Sequence, residues 1–301
     1  MSNFFRNCRI YSVTNNYAFP DFEQLETALK NFTFRPCAAS EMASTGWYPP
    51  APGGKLLHHP VGNGFMLQHR HECKIIPPDY LRKMTNERIA KLEQDQARHL
   101  KRVEKNALKD DVLHSLIPRA FTKTSVTNLW VDIDNERIWI DTTASKSAEN
   151  VLALLRKTLG SLPVVPLTME NPVELTLTEW LKAGAAPQRF LFGESAEMKG
   201  VLADGGVVRC KKIELDSDEV KTHLEAGRCA TKLEMSFDER MDFIITDDMG
   251  LLRLKFADEL HEANSDQEEE MSRYDADMLL MTSELTGLMK SLVTALGGEF
   301  K

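Results

Sequence analysis

Apolar and polar positions alternate with two different periods along this chain, and the changes of period mark out its elements. Asn7–Val13 reads as a first strand, with Cys8, Ile10 and Tyr11 among β-formers. Asp21–Asn31 reads as a helix that Asp21 can cap, with Phe22, Leu25, Ala28 and Leu29 on one face. Gly46–Gly54, punctuated by prolines, reads as a rigid loop, and His58-His59 as loop. Phe65–Ile76 reads as a strand with Phe65, Leu67, His69, His71, Cys73 and Ile75 on one face. Leu129–Asp141 alternates cleanly about Asp134-Asn135-Glu136, which predicts a β-hairpin. Ser145–Leu159 is helical, with Ala148, Val151, Leu152 and Leu155 inward and Gly160 closing it. Leu162–Leu167 reads as an edge strand because it carries two prolines. Leu177–Ala183 reads as a short helix with Thr178 as its cap.

A similar order follows. Val207–Leu215 is a strand after Gly205-Gly206, Asp216–Ala226 a helix ended by Gly227, and Cys229–Phe237 with Arg240–Thr246 a hairpin. The turns Asp134-Asn135-Glu136-Arg137 and Asp238-Glu239-Arg240 sit at matching places. The expected fold is mixed α/β (α+β): two related sheet-plus-helix units with an inserted helical arm. The expected domains are a central α/β domain (1–76 and 124–170), a basic helical arm (77–123), and a second α/β domain with an acidic C-terminal helix (171–301). The last helix, Arg273–Leu296, carries Met278, Met281, Leu285, Leu288, Met289 and Leu292 as a stripe. Core packing and a dimer contact both fit that stripe.

Composition adds bounds. The chain has 301 residues, 42% hydrophobic and 27% charged, as a soluble globular protein does. No apolar run is long enough to span a membrane, and Met1–Arg9 lacks the apolar core of a signal peptide. Five scattered cysteines without a C-x-x-C pair read as reduced thiols of a cytosolic protein.

Charge changes the picture more. The net charge is -8, yet Asp79–Lys123 holds 11 cations against 7 anions. Asp258–Lys301 holds 11 anions against 3 cations and includes the run Asp266–Glu270. On one unbroken helix, Lys91, Arg98, Arg102, Lys105 and Lys109 would fall within about 60° of each other. Leu92, Leu100, Val103 and Ala107 would form the opposite seam. Such a ridge, about 27 Å long, could meet several phosphates spaced about 3.4 Å apart; a solvated helix face fits the same pattern. Beyond Pro118, Arg119, Phe121 and Lys123 would share one face of an extended segment. Two cations flanking a ring suit a phosphate backbone or a base, and a ring packed at a subunit contact fits as well. Arg209 and Lys211 would share a strand face while Lys212 points away.

Catalytic signatures are missing from the sequence. There is no G-x-x-x-x-G-K-[ST] loop and no G-x-S-x-G, and Gly62-Asn63-Gly64 reads as a turn. His69, His71 and Cys73 lack an evident fourth ligand, and Asp132, Asp134 and Asp141 read as hairpin residues. The expectation is a binding protein, not an enzyme, with no metal.

Several stretches are specific enough to carry a resemblance: Leu92–Arg98, Leu108–Phe121 (LKDDVLHSLIPRAF), Ala153–Leu167 (ALLRKTLGSLPVVPL), Asn171–Trp180 (NPVELTLTEW) and the ending Leu296-Gly297-Gly298. Through them the chain resembles the RdgC family over essentially its whole length. The resemblance implies a cytoplasmic, nucleoid-associated protein of DNA recombination without a cofactor. It implies binding to DNA with little sequence preference; the few aromatics among the basic residues favour mainly double-stranded DNA over stacking on single strands. It further implies a homodimer that closes as a ring around duplex and restrains RecA-promoted strand exchange, with no membrane partner. The family's basic lining carries over to Arg98, Lys101, Arg102, Lys105, Lys109, Arg119, Lys123, Lys211 and Lys212, with Phe121 as a contact or closure residue. The rival expectation is an interaction protein that inhibits a recombinase directly through its acidic C-terminal region.

Overall fold

The computed structural model describes residues 3–14, 16–200, 205–262 and 269–300. In chain order the elements begin with β1 (Arg9–Val13), α1 (Phe22–Lys30), β2 (Ala43–Tyr48), β3 (His58–Val61) and β4 (Gly64–Ile75). Next come α2 (Pro78–Gln96), α3 (Arg102–Leu116), a 3-10 turn (Ile117–Arg119), β5 (Phe121–Asp132), β6 (Arg137–Ile140), α4 (Ser145–Leu159) and β7 (Val164–Pro166). Then follow α5 (Val173–Ala183), β8 (Phe190–Gly200), β9 (Val207–Lys211), α6 (Asp218–Glu225), β10 (Arg228–Phe237), β11 (Met241–Thr246), β12 (Leu251–Phe256), α7 (Asp258–Glu262) and α8 (Glu270–Ala295). The chain is therefore mixed α/β, with two antiparallel sheets. Among the described residues, no helix is long and apolar enough to cross a membrane.

Two compact units divide the chain. The first comprises Met1–Ala28, Pro49–Gln68 and Thr127–Lys301; the second comprises Leu29–Tyr48 and His69–Val126.

In the first unit the strand order is β4-β5-β6-β1-β7, with β3 paired to β4. Val61 faces Gly64 in the β3–β4 hairpin, so Gly62-Asn63 is the expected two-residue turn, with Gly62 at φ +58°. Gly64 has a separate reason to be glycine: a Cβ there would lie 2.1 Å from the Val131 carbonyl oxygen. The β5–β6 hairpin pairs Asp132 with Arg137. Asp132 fastens the turn by accepting from the backbone and side-chain N–H groups of Asn135, at 3.2 and 2.8 Å. β7 lies at the sheet edge, where Pro166 has no ladder bond to spoil. On α4 the four expected apolar residues are buried, and Gly160 at φ +80° ends the helix.

The first unit also holds the second sheet, ordered β12-β11-β10-β8-β9. Its core draws on Leu177 and Leu181 of α5, Val220 and Leu224 of α6, and the α8 stripe. All six stripe residues are at most 1% exposed, so the stripe is core and is not available as a contact surface. Burying each such side chain favours folding by about 1.5–3 kcal/mol. The expected hairpin β10–β11 is present, and the runs β4-β5-β6-β1 and β8-β10-β11-β12 place their hairpins alike.

Three expectations need correction. Gly46-Trp47-Tyr48 is not loop but the end of β2. Trp47 is fully buried, and its backbone bonds Phe32 and Phe34 at 2.8 Å each. A Cβ on Gly46 would lie 2.5 Å from the Phe34 backbone, so this glycine serves close approach, not a turn. His58-His59 opens β3; polarity suggested loop, but His58 is buried with its Nδ1 2.9 Å from Glu26 Oε2. Thr178 is no cap, because α5 starts five residues earlier, after Pro172. Its hydroxyl donates to Glu174 O (2.5 Å) and accepts the Ala230 N–H (2.8 Å). Beyond these, β8 and β12 lack a clean pattern in the sequence, because both pair across register shifts, which break strict alternation. Of the acidic run, residues 266–268 lie outside the described residues.

Candidate nucleic-acid interface

The basic arm is two helices, not one. α2 stops at Gln96, and Ala97 turns left-handed at φ +50°. The Ala97 N–H bonds Gln94 O and the Arg98 N–H bonds Glu93 O, both at 3.3 Å, which is the pairing of a Schellman end. α3 starts afresh at Arg102 and packs on α2. The continuous ridge from Lys91 to Lys109 therefore does not exist. The expected seam changes too: Val103 is 79% exposed and Ala107 is exposed, while Thr85, Leu100, Val112 and Ile117 are buried.

Two carboxylates hold the turn between the helices. Glu104 accepts both guanidinium nitrogens of Arg98, at 2.6 and 3.0 Å, and the Lys101 N–H at 2.7 Å. Arg98, with the Lys101 amide second, holds the Glu104 carboxyl down at about 2. Glu93 accepts the Leu100 N–H at 2.9 Å, and Lys105 Nζ lies 3.1 Å from it. The Leu100 amide first, then Lys105, lowers the Glu93 carboxyl. Arg98 and Lys105 thus serve the turn and are neutralised by it. A glutamate three residues after Lys101 was the one local sign of a new helix start. Neither glycine nor asparagine marks position 97, so the left-handed turn had no signal.

The other arm cations fare differently. Arg102, Lys109, Arg119 and Lys123 are exposed, and among the described residues they form no ion pair. Lys101 is exposed within the field of Glu104. Lys91 lines an inter-helix groove together with Asp111. Arg119 sits in the 3-10 turn, so it does not share a strand face with Phe121 and Lys123. Those two do alternate on β5, where Phe121–Val126 are all exposed and Phe121 reaches 84%.

In the first unit, Arg209 and Lys211 line one cavity and Lys212, at φ +56° beyond the strand end, lines another. Arg209 is paired to Glu197 at 2.7 Å.

The residues that hinted at catalysis have structural partners. Burial, with His71 second, lowers His69 to about 4, and its Nε2 lies 2.6 Å from Thr45 Oγ1. Asp134 accepts from Asn63 Nδ2 (2.7 Å), and Asp141 accepts the N–H groups of Arg6 and Asn7 (3.1 and 2.9 Å). Among the described residues, no three His, Cys, Asp or Glu side chains gather so as to hold a metal ion.

A family model described as "Putative exonuclease, RdgC" matches residues 3–299. The chain belongs to the RdgC family. It is 47% identical over 298 residues to a protein of Serratia proteamaculans (strain 568), covering 98% of each chain. A protein of Yersinia enterocolitica matches to the same extent, and one of Yersinia pseudotuberculosis is 46% identical over 298 residues. All three relatives carry the name "Recombination-associated protein RdgC". That name contains no enzymatic activity, whereas the RdgC family description does.

Proposed function

We propose that this chain acts in DNA recombination by binding duplex phosphates with little regard to sequence. One observation carries the reading: Arg102, Lys109, Arg119 and Lys123 stand exposed in a basic region of an acidic protein and, among the described residues, form no ion pair. A polyanion responds to the local field, not to net charge. Long flexible cations suit phosphate oxygens, and contacts to phosphate carry no sequence information directly. The name of the relatives and the resemblance to the family support the recombination role. On this reading two copies close as a ring around duplex within the nucleoid. RecA-promoted exchange is restrained because the DNA is already covered.

The rival, direct inhibition of a recombinase through the acidic C-terminal region, has less to work with. The α8 stripe is core, Glu284 is paired with Arg240, and Asp275 lies 3.0 Å from His59. The reading contains no catalytic step, so duplex incubated with the protein and magnesium stays intact.

The test is binding to two unrelated duplexes across a salt series, with the solution mass measured with and without DNA. We expect equal affinities that fall by about 0.9 log units per log unit of salt for each phosphate contact, and a mass of two chains. A flat salt response, or strong preference for one duplex, overturns the proposal.

A further inference from the structure

The second sheet carries a cavity of about 250 Å³ whose lining comes from all five of its strands. Four cations stand around it: Arg209 and Lys211 from β9, Lys232 from β10 and Arg253 from β12. One carboxylate, Glu197 of β8, lies among them with its side chain only 17% exposed. Glu197 Oε2 is 2.7 Å from Arg209 Nε, and Oε1 is 3.0 Å from Lys232 Nζ.

Arg253 reaches this position by an irregular backbone. Asp242 faces Lys255 and Ile244 faces Leu252, so Arg253 and Leu254 together oppose Phe243 alone. That is a β-bulge in β12, and Arg253 occupies its left-handed place at φ +54°. Glycine is the residue that fits such a place without strain. Asn7 Oδ1 accepts the Arg253 N–H at 3.1 Å and pins the bulge. An arginine held there turns its guanidinium onto a face that already carries three cations. Among the described residues, neither Arg253 nor Lys211 forms an ion pair.

We infer that this cavity is a phosphate-binding pocket for a nucleic-acid backbone, with Arg253 and Lys232 as contact residues and Glu197 as its internal competitor. Without DNA, the Glu197 carboxylate holds Arg209 and Lys232 in place and satisfies their charge. An incoming phosphodiester brings a second anion to the same cations and must share them with Glu197. The carboxylate therefore weakens binding while it keeps the pocket formed. This inference rests on the DNA-binding reading and extends it to residues outside the arm.

The test uses the full chain with one duplex of fixed sequence over a salt series. Arg253→Gly suits the bulge backbone, so its melting temperature should equal or exceed that of the wild type. Its affinity should fall roughly eightfold near 0.1 M salt, with the salt slope shallower by about 0.9. Glu197→Gln keeps shape and removes the competing charge, and should tighten binding roughly tenfold with a steeper slope. A gain in affinity cannot come from misfolding. If the wild type shows steep salt dependence while neither variant shifts affinity or slope, the pocket is overturned and the arm reading stands. If the wild type does not bind DNA, both fall.

Discussion

The basic arm and the α8 core occupy opposite ends of one physical range. α2 and α3 together run to 34 residues and bury only Thr85 and Val112 between them, whereas α8 buries nine of its 26. The arm also holds its inter-helix turn with ion pairs, Arg98–Glu104 and Lys105–Glu93, while α8 is held by apolar packing. Exposed pairs of that kind each contribute little to stability, about 0–1 kcal/mol. The comparison teaches that charge in the arm divides into two populations. Arg98 and Lys105 are structural and neutralised, whereas Arg102, Lys109, Arg119 and Lys123 face water and, among the described residues, form no ion pair.

The largest effect should separate those populations. Replacing Arg102, Lys109, Arg119 and Lys123 together with Gln should lower duplex affinity on the order of 10³-fold near 0.1 M salt, since four phosphate contacts are lost. The melting temperature should hardly move. Equal loss from a variant confined to Arg98 and Lys105 would erase the distinction.

Core substitution supplies the opposite case. Leu285→Ala in α8 should destabilise by about 2–5 kcal/mol in denaturant unfolding. Val103→Ser in α3 should change stability by less than about 0.5 kcal/mol, because Val103 is already 79% exposed. A costly Val103→Ser would show that the arm has a core after all.

His69 probes the second unit through pH. Its folded value of about 4 lies below the ordinary histidine value because burial disfavours the charged ring. The unfolded chain then binds the extra proton between about pH 6.5 and 4. Stability from the neutral ring is complete above pH 6.5 and is lost as pH falls through 4, by about 3 kcal/mol at most. His69→Gln should flatten that part of the pH–stability curve in urea titrations; an unchanged curve refutes the assignment.

A smaller effect than that of His69 tests the turn. Ala97→Gly should stabilise by about 1 kcal/mol, because φ +50° suits glycine better than alanine. A loss of stability would mean that the left-handed end is not what stops α2.

Much of the fold was legible locally. The hairpins β5–β6 and β10–β11, the inward face of α4 and the α8 stripe follow from period and turn chemistry, which are properties of neighbouring residues. The misses share a different cause. Trp47 sits in a strand because Phe32 and Phe34 bond it, and β12 holds a bulge pinned by Asn7, far away in sequence. The candidate site divides in the same way. That the region 79–123 is basic could be counted along the chain, but that Arg98 and Lys105 face glutamates could not.

The sequence by itself determined where charge and hydrophobicity concentrate, because both are sums over adjacent positions. Only the tertiary structure decided which cations stay free, because an ion pair depends on how the backbone bends between its members. A single left-handed residue, Ala97, broke the ridge that helical periodicity predicted and brought Glu104 back onto Arg98.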